Sequence, residues 1–252
     1  MWRPLITAAF LAFAPAAFAQ TTPSGTPPGF DAHGFALAPS DGDLNDYTVT
    51  WRAEGYEPLA LGLESVLEYA NRPLVMIEKS GTSETRYPLV DNLLALNIGA
   101  FLAVHKRLGI GLSAPVYLWS VTDQSRGPAL GDIRVTLPIW LATLGDSDKG
   151  GSLSFSVVPF AVAPSGPSNR YLGDQRFGGG GLVAVSFDKG AFDLSANVGA
   201  RTHRIVDPTY QNLTGGPNLE AALAAGYGLT DRIALRGEVH FEPYLTSVPS
   251  AL

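Results

Sequence analysis

Apolar and polar residues alternate with a period of two along most of the chain after Glu57. In the first such segment one face carries Leu59, Leu61, Leu63, Leu67 and Tyr69, and the other carries Gly62, Glu64 and Glu68. The same alternation recurs at residues 94–104, 108–118, 133–141, 153–157, 183–187, 192–201, 219–228 and 233–241. A period of two places successive side chains on opposite faces of a strand. The pattern therefore predicts about nine antiparallel strands.

The lengths of the predicted strands and of their connections favour a membrane barrel. A tilted membrane strand needs about 9–11 residues, whereas strands of soluble proteins usually run about 5–6. Long connections at residues 72–88, 120–130, 164–176 and 204–217 alternate with short ones at 105–107, 145–151, 188–190 and 230–231. Long outer loops and short periplasmic turns are typical of outer-membrane barrels. The predicted fold class is all-β, an antiparallel transmembrane β-barrel.

Four further features bear on the details of this barrel. Across the turn at Arg107 the alternation predicts two opposed pairs, Val104 with Leu108 and Ala103 with Gly109. Phe187, Phe192 and Tyr227 lie on the apolar face near short turns, where a periplasmic aromatic girdle is expected. Proline at positions 115, 138 and 159 falls inside strands and should remove a ladder hydrogen bond at each. Residues 246–252 read as an outer loop rather than a closing strand, which predicts a truncated barrel.

Composition agrees with a lipid-facing surface and argues against a polyanion partner. Charged residues make up 16% of the chain, against about 25% in an average soluble domain. The net charge is −6, so binding to nucleic acid, which depends on clustered Lys and Arg, is not expected. The chain has no cysteine, which excludes disulfides and cysteine-based sites.

The first residues have the pattern of an export signal. Arg3 precedes an apolar run that ends near Phe13, and Ala17-Phe18-Ala19 is a small-x-small cleavage site. The run is too short to span about 30 Å of hydrocarbon. The sequence predicts a cleaved signal peptide at residues 1–19, an irregular periplasmic linker at 20–56 and the barrel at 57–252, in the outer membrane.

Within the predicted linker, residues 41–46 (DGDLND) are rich in oxygen ligands, as a calcium-binding loop is. The EF-hand pattern needs a glutamate at its twelfth position, which is Arg52 in this chain. A solvated turn is therefore the favoured interpretation, and no metal or cofactor is expected.

No motif for catalysis stands out. The chain lacks a G-x-S-x-G elbow, an H-E-x-x-H motif and a P-loop, and its four histidines do not have metal-ligand spacing. His240 is expected to face the lumen near Glu220, with Ser195 as the candidate nucleophile of a barrel hydrolase. A lumen hydrogen-bond network is the simpler interpretation, and the chain is not expected to be an enzyme.

Charged residues on the polar face are the candidates for a binding or conducting site. These lumen-facing candidates are Glu64, Glu68, Asp132, Arg134, Asp193, Arg201, Glu220, Arg236, Glu238, His240 and Glu242. In a small barrel they would pair and fill the interior of an anchor, whereas in a wider one they would line water and set selectivity. The acids outnumber the arginines, so a conducting lumen would weakly prefer cations.

Four segments resemble the N-terminal barrels of OmpA-family outer-membrane proteins: GLESVLEYANRPLVM, RLGIGLSAPVYLW, ALGDIRVTLPIWLA and GLTDRIALRGEVHFEP. The resemblance spans residues 57–245. It implies an outer-membrane barrel that is often followed by a peptidoglycan-binding domain, and nothing in this chain matches that domain. Peptidoglycan is therefore a partner only if a missing C-terminal domain exists.

Beside the barrel hydrolase considered above, two classes of function remain open from the sequence. The first is an outer-membrane barrel, in contact with outer-membrane lipid, that acts as a structural anchor or as a porin-like passage for small solutes. The second is a secreted soluble β-sandwich that acts as an adhesin or binds carbohydrate. The second would have a shielded apolar core and no apolar outer belt.

Overall fold

The computed structural model describes residues 17–19, 34–42, 46–80, 83–122, 125–174, 177–202, 217–230 and 233–243. Twelve strands form one sheet. They are β1 (Ala17–Ala19), β2 (Leu61–Ser80), β3 (Ser83–His105), β4 (Leu108–Thr122), β5 (Ala129–Leu130), β6 (Ile133–Thr136), β7 (Ile139–Asp146), β8 (Gly151–Ala163), β9 (Gly178–Lys189), β10 (Phe192–Thr202), β11 (Asn218–Thr230) and β12 (Ile233–Phe241). A 3₁₀ turn at Ser168–Arg170 precedes β9.

The sheet follows the order of the chain. Neighbouring strands from β2 to β12 pair antiparallel, and β1 alone adds to β2 in parallel. The prediction of an all-β antiparallel fold is confirmed. Each of the nine predicted strands has a counterpart, and the count rises because β1 and the two-residue β5 are added and one predicted strand is divided.

The divided strand is the one predicted at residues 133–141. It forms β6 and β7, separated by Leu137 and Pro138. Proline has no N–H to donate, so the ladder is interrupted there. The carbonyl oxygen of Pro138 still accepts a bond from the Gly109 amide at 3.0 Å, and Pro159 accepts one from Leu137 at 2.9 Å. The sheet therefore tolerates these prolines through their acceptors.

Two predicted details near β2 and β3 are wrong. The predicted long loop at residues 72–88 is instead a ladder in which β2 and β3 continue as a hairpin, with register shifts between Asn71 and Val75. Backbone hydrogen bonds can continue a hairpin even where neither face is buried, so the weak alternation of these residues does not end the strands. At the β3–β4 turn, Ala103 pairs with Gly109 as predicted, but Leu108 pairs with His105 because the register shifts.

The two faces of the sheet differ as the alternation predicts. Side chains on the outer face are apolar and largely exposed, including Leu63 (80%), Val239 (69%), Leu235 (61%), Leu67 (60%), Val198 (53%) and Leu223 (53%). Side chains on the inner face are mostly buried and polar, among them Asn97, Ser113, Thr136, Ser156, Ser186 and Ser195. This is the reverse of a soluble protein, in which the apolar face is the buried one.

The sheet curls around the segment that precedes it. Residues 34–42 and 46–56, which we name the plug segment, lie against the inner face of both ends of the sheet. A Cβ added at Gly62 of β2 would stand 1.7 Å from the carbonyl oxygen of Ser40, so only glycine allows this approach. Thr48 in turn bonds to Glu238 of β12. No ladder joins β2 to β12 within the described ranges.

Among the described residues, no helix is long and apolar enough to cross a membrane. The plug segment falls within the predicted linker at residues 20–56, whose remaining residues lie outside those the structure describes, as does most of the predicted signal peptide. The domain boundaries at 19 and 56 stay predictions.

Candidate functional site

The structure places the predicted lumen residues on the inner face. Asp132, Arg134, Asp193, Arg201 and Glu220 are buried there. Glu64, Glu68, Arg236, Glu238, His240 and Glu242 are half-buried. Their common orientation follows from the alternation, but their partners follow from how the sheet curls.

One buried ion pair crosses the interior between strands that are not neighbours. The guanidinium of Arg134 on β6 donates to Glu220 on β11 at 3.0 Å, and both side chains are under a tenth exposed. The same guanidinium lies 3.6 Å from the ring centroid of Phe160. A buried charge requires such compensation, because leaving water costs several kcal/mol per ion. The pair therefore links opposite walls of the sheet.

The plug segment is held by side chains of the last strands. The Glu238 carboxylate accepts hydrogen bonds from three consecutive amides, Thr48 at 2.8 Å, Val49 at 2.9 Å and Thr50 at 3.1 Å. The side chain of Asn197 on β10 bonds both backbone groups of Trp51, accepting from its amide at 2.7 Å and donating to its carbonyl at 2.8 Å. These side chains satisfy backbone groups that no neighbouring strand reaches.

Further contacts fix the plug segment along its length. The Tyr47 hydroxyl donates to Asp193, and a guanidinium N–H of Arg236 donates to the carbonyl oxygen of Asp46. The Ser186 hydroxyl accepts the Ala53 amide at 2.8 Å. Trp51 packs in a buried cluster with Ala38, Ala53, Val158, Phe160, Val162, Leu182 and Ala184. The plug segment is thus a docked part of the fold.

A second segment also packs against the inner face. Residues 164–174, which we name the inner loop, follow β8 and fold back over the inner face. The Asp132 carboxylate accepts the amides of Gly166 at 2.9 Å and Asp174 at 2.7 Å. Arg201 pairs with Asp174 at 3.0 Å, with both side chains near a tenth exposed. Leu172 is fully buried in a cluster with Leu93, Ala95 and Tyr117.

Little space remains between the plug segment and the strands that hold the inner loop. A cavity of about 40 Å³ is lined by Phe35, Leu37, Asn97, Asp132, Arg134, Arg201 and Glu242, among others. One ordered water needs about 10–15 Å³, so this space holds roughly three waters. Two buried nitrogens of Arg134 have no hydrogen-bond partner in the protein, and they can donate hydrogen bonds to such waters. Among the described residues, the plug segment and the inner loop therefore occupy much of the interior.

The predicted hydrolase residues occupy separate places. Ser195 shares a hydrogen bond of 2.8 Å with Ser186, while His240 lies 3.3 Å from Glu242. Glu220 and His240 line one small cavity, but Glu220 is engaged by Arg134. The arrangement that the structure brings together is a polar network.

The sequence interpretation missed the plug segment as part of this network. Tyr47, Val49, Trp51 and Ala53 alternate with polar residues, and three of the four are buried. That short alternation was a usable signal, hidden by the irregular residues before it. Arg52, which pairs with Asp188 at 2.5 Å and with Glu54 at 3.4 Å, was also missed as an interior charge.

Comparison with known proteins gives one family. The profile of the family described as "Putative MetA-pathway of phenol degradation" matches residues 82–243, which is most of the sheet from β3 onward. No curated protein and no solved structure matches the chain. The match does not support the OmpA-family resemblance, which rested on glycine-rich alternating segments common to many barrels. The chain belongs to the family described as "Putative MetA-pathway of phenol degradation".

Proposed function

We propose that this protein is an outer-membrane β-barrel that lets small solutes pass when its plug segment moves. The observation that carries the proposal is the inverted sheet, with an exposed apolar outer face and a buried polar inner face. Hydrocarbon on the outside and a polar interior are what such a surface requires. The family fits an envelope location, and this orientation disfavours the soluble β-sandwich.

Strand length and aromatic placement support the membrane part of the proposal. β10 has 11 residues and β11 has 13. At about 3.3 Å per residue and a tilt of about 40°, they rise about 28 and 33 Å, enough for the apolar band of about 25 Å. Phe192 and Tyr227 pair on the outer face near the short turns. Tyr69 and Trp119 flank Leu94 in one row toward the other end.

The contacts of the plug segment support passage after displacement. Two of them, from the Trp51 and Ala53 amides to single side chains, are neutral hydrogen bonds, and each bond of this kind contributes only about 0.5–1.5 kcal/mol because water replaces it. The family description names phenol degradation. We therefore propose small aromatic compounds as the solute class, with the lumen candidates, Glu64 to Glu242 on the inner face, as the groups such a solute would meet.

A structural anchor is the second candidate. The cavity of about 40 Å³ and the buried Arg134–Glu220 pair describe a filled interior, as an anchor would have. The two candidates differ in whether the plug segment ever leaves. Neither assigns a catalytic role to the inner-face residues.

Tryptophan fluorescence tests the membrane orientation. Two single-tryptophan forms of residues 20–252 are refolded into vesicles of brominated phospholipid, one keeping Trp119, which is 53% exposed, and one keeping Trp51, which is 5% exposed. We expect strong quenching of Trp119 and weak quenching of Trp51, together with a band on SDS gels that shifts on boiling. Equal quenching of both, or a protein soluble without lipid, would remove the membrane proposal.

Conductance distinguishes passage from anchor. The refolded chain is inserted into planar bilayers, and its channel openings are counted. The same measurement is made on Glu238→Ala, which loosens the plug segment. Glu57→Gln, a change at an exposed acid in the turn before β2, is the control. If the protein lets solutes pass, we expect rare openings in the unmodified chain and in Glu57→Gln, and frequent openings in Glu238→Ala. Silence from all three proteins in bilayers that do contain them favours the anchor.

A further inference from the structure

Three carboxylates of the plug segment lie together although they are apart in sequence. Asp41, Asp46 and Glu54 each offer an oxygen, and these oxygens all lie within 4.8 Å of one another. Calcium binds oxygen ligands at about 2.3–2.6 Å, so two ligands on opposite sides of one ion stand at most about 5 Å apart. The spacing suits one cation held between them.

The sequence around this cluster contains most of a calcium loop. Residues 41–46 have acidic or amide side chains at the first, third and fifth positions, as an EF-hand loop does. The glutamate expected at the twelfth position is replaced by Arg52. The structure supplies a substitute, because the fold of the segment brings Glu54 to Asp41 and Asp46.

A second observation, independent of the carboxylates, points to a ligand. Thr50 is 1% exposed, and its Oγ1 has no hydrogen-bond partner in the structure. Thr50 lines a cavity together with Asp46 and Glu54. The cavity has about 10 Å³ of space, close to what one water or one ion occupies. A bound cation would give this buried hydroxyl oxygen the electropositive partner it lacks.

The local charges leave room for a divalent ion. Arg52 lies beside the cluster, and its guanidinium is shared between Glu54 at 3.4 Å and Asp188 at 2.5 Å, while Arg236 donates to the backbone carbonyl of Asp46. Carboxylates this close repel one another or take up a proton. A divalent cation removes that repulsion.

We propose that Asp41, Asp46, Glu54 and Thr50 form a calcium site that stiffens the plug segment. Calcium suits the set better than magnesium, since it accepts irregular oxygen ligands whereas magnesium demands near-octahedral geometry. The ion would tie together the two arms of the segment, which are joined by a bond from the Ala38 amide to the Thr48 carbonyl at 2.9 Å. The site does not depend on whether the lumen conducts.

Terbium luminescence tests the site directly, because terbium replaces calcium and is excited by nearby aromatic side chains. Tyr47, Trp51 and Tyr56 line the same cavity. The chain of residues 20–252 is refolded, treated with chelator and titrated with Tb³⁺, then with Ca²⁺ or Mg²⁺. We expect saturable emission that Ca²⁺ displaces at concentrations well below those of Mg²⁺.

Variants locate the ion. Asp46→Asn and Glu54→Gln should each weaken the apparent affinity by at least about tenfold, since ligand charge sets calcium affinity. Asp148→Asn, in the exposed turn before β8, is the matched control and should leave it unchanged. Far-UV circular dichroism identifies any variant that fails to fold, and the other variant then decides. The proposal is overturned by absence of saturable emission from the unmodified chain, or by equal affinity in folded Asp46→Asn or Glu54→Gln.

Discussion

The contact of Glu238 with three consecutive amides offers the most direct test of how the plug segment is held. Replacing this residue by alanine removes the acceptor of the Thr48, Val49 and Thr50 amides at once. A hydrogen bond to a charged group contributes about 1.5–3 kcal/mol when its partner is buried. Thr50 is buried, whereas Thr48 and Val49 are half-buried and can regain water. The expected loss is therefore about 3 kcal/mol in total, less than three full bonds.

Amide hydrogen exchange measures this loss at the positions concerned. A loss of about 3 kcal/mol corresponds to roughly 100-fold faster exchange if the amides exchange by local opening of the plug segment. The Trp51 amide, which Asn197 holds, should accelerate as well if the segment opens as one unit. Glu57→Gln is the control, because Glu57 is exposed and lies outside this contact. Exchange at Thr48 to Thr50 within about threefold of the unmodified protein would refute the reasoning.

Two further substitutions test the packing of the interior. Gly62→Ala forces a methyl group against the Ser40 carbonyl and should expose the plug segment to protease, whereas Gly237→Ala, which has nothing within 4 Å, should not; equal cleavage of both variants would contradict the close approach. Arg134→Met should lower stability to denaturant in detergent by about 3–5 kcal/mol, since it leaves the buried Glu220 charge without its partner. Adding Glu220→Gln should restore most of that loss, and a double variant no more stable than Arg134→Met would argue against the pair.

The faces of the strands could be predicted from the sequence because alternation is a local property. A strand that meets hydrocarbon on one side and polar groups on the other must alternate, so Leu235 and Glu238 could be assigned to opposite faces before any partner was known. The division of one predicted strand into β6 and β7 at Pro138 could not be predicted in this way. A proline inside an alternating run interrupts the ladder but leaves the faces of the strand unchanged.

The partners of the inner charges could not be predicted for a different reason. Arg134 and Glu220 are on strands that do not pair, and their meeting depends on how far the sheet curls. The plug segment was predicted as a linker because Pro and Gly dominate residues 23–29 just before it. Its own alternation at residues 47–53 is short, and only the interior of the sheet gives those apolar residues something to pack against.

The hydrogen bonds between Glu238 and the plug segment also constrain the order in which the molecule can assemble. The residues they join are separated by 188 to 190 positions in sequence, and contacts between such distant residues form slowly because a long loop must close first. The plug segment is synthesised long before β12, so its amides can bond to Glu238 only after the last strand has been made. Docking of the segment is therefore complete only once the sheet is complete, and loss of β12 alone would leave the Thr48, Val49 and Thr50 amides without their acceptor.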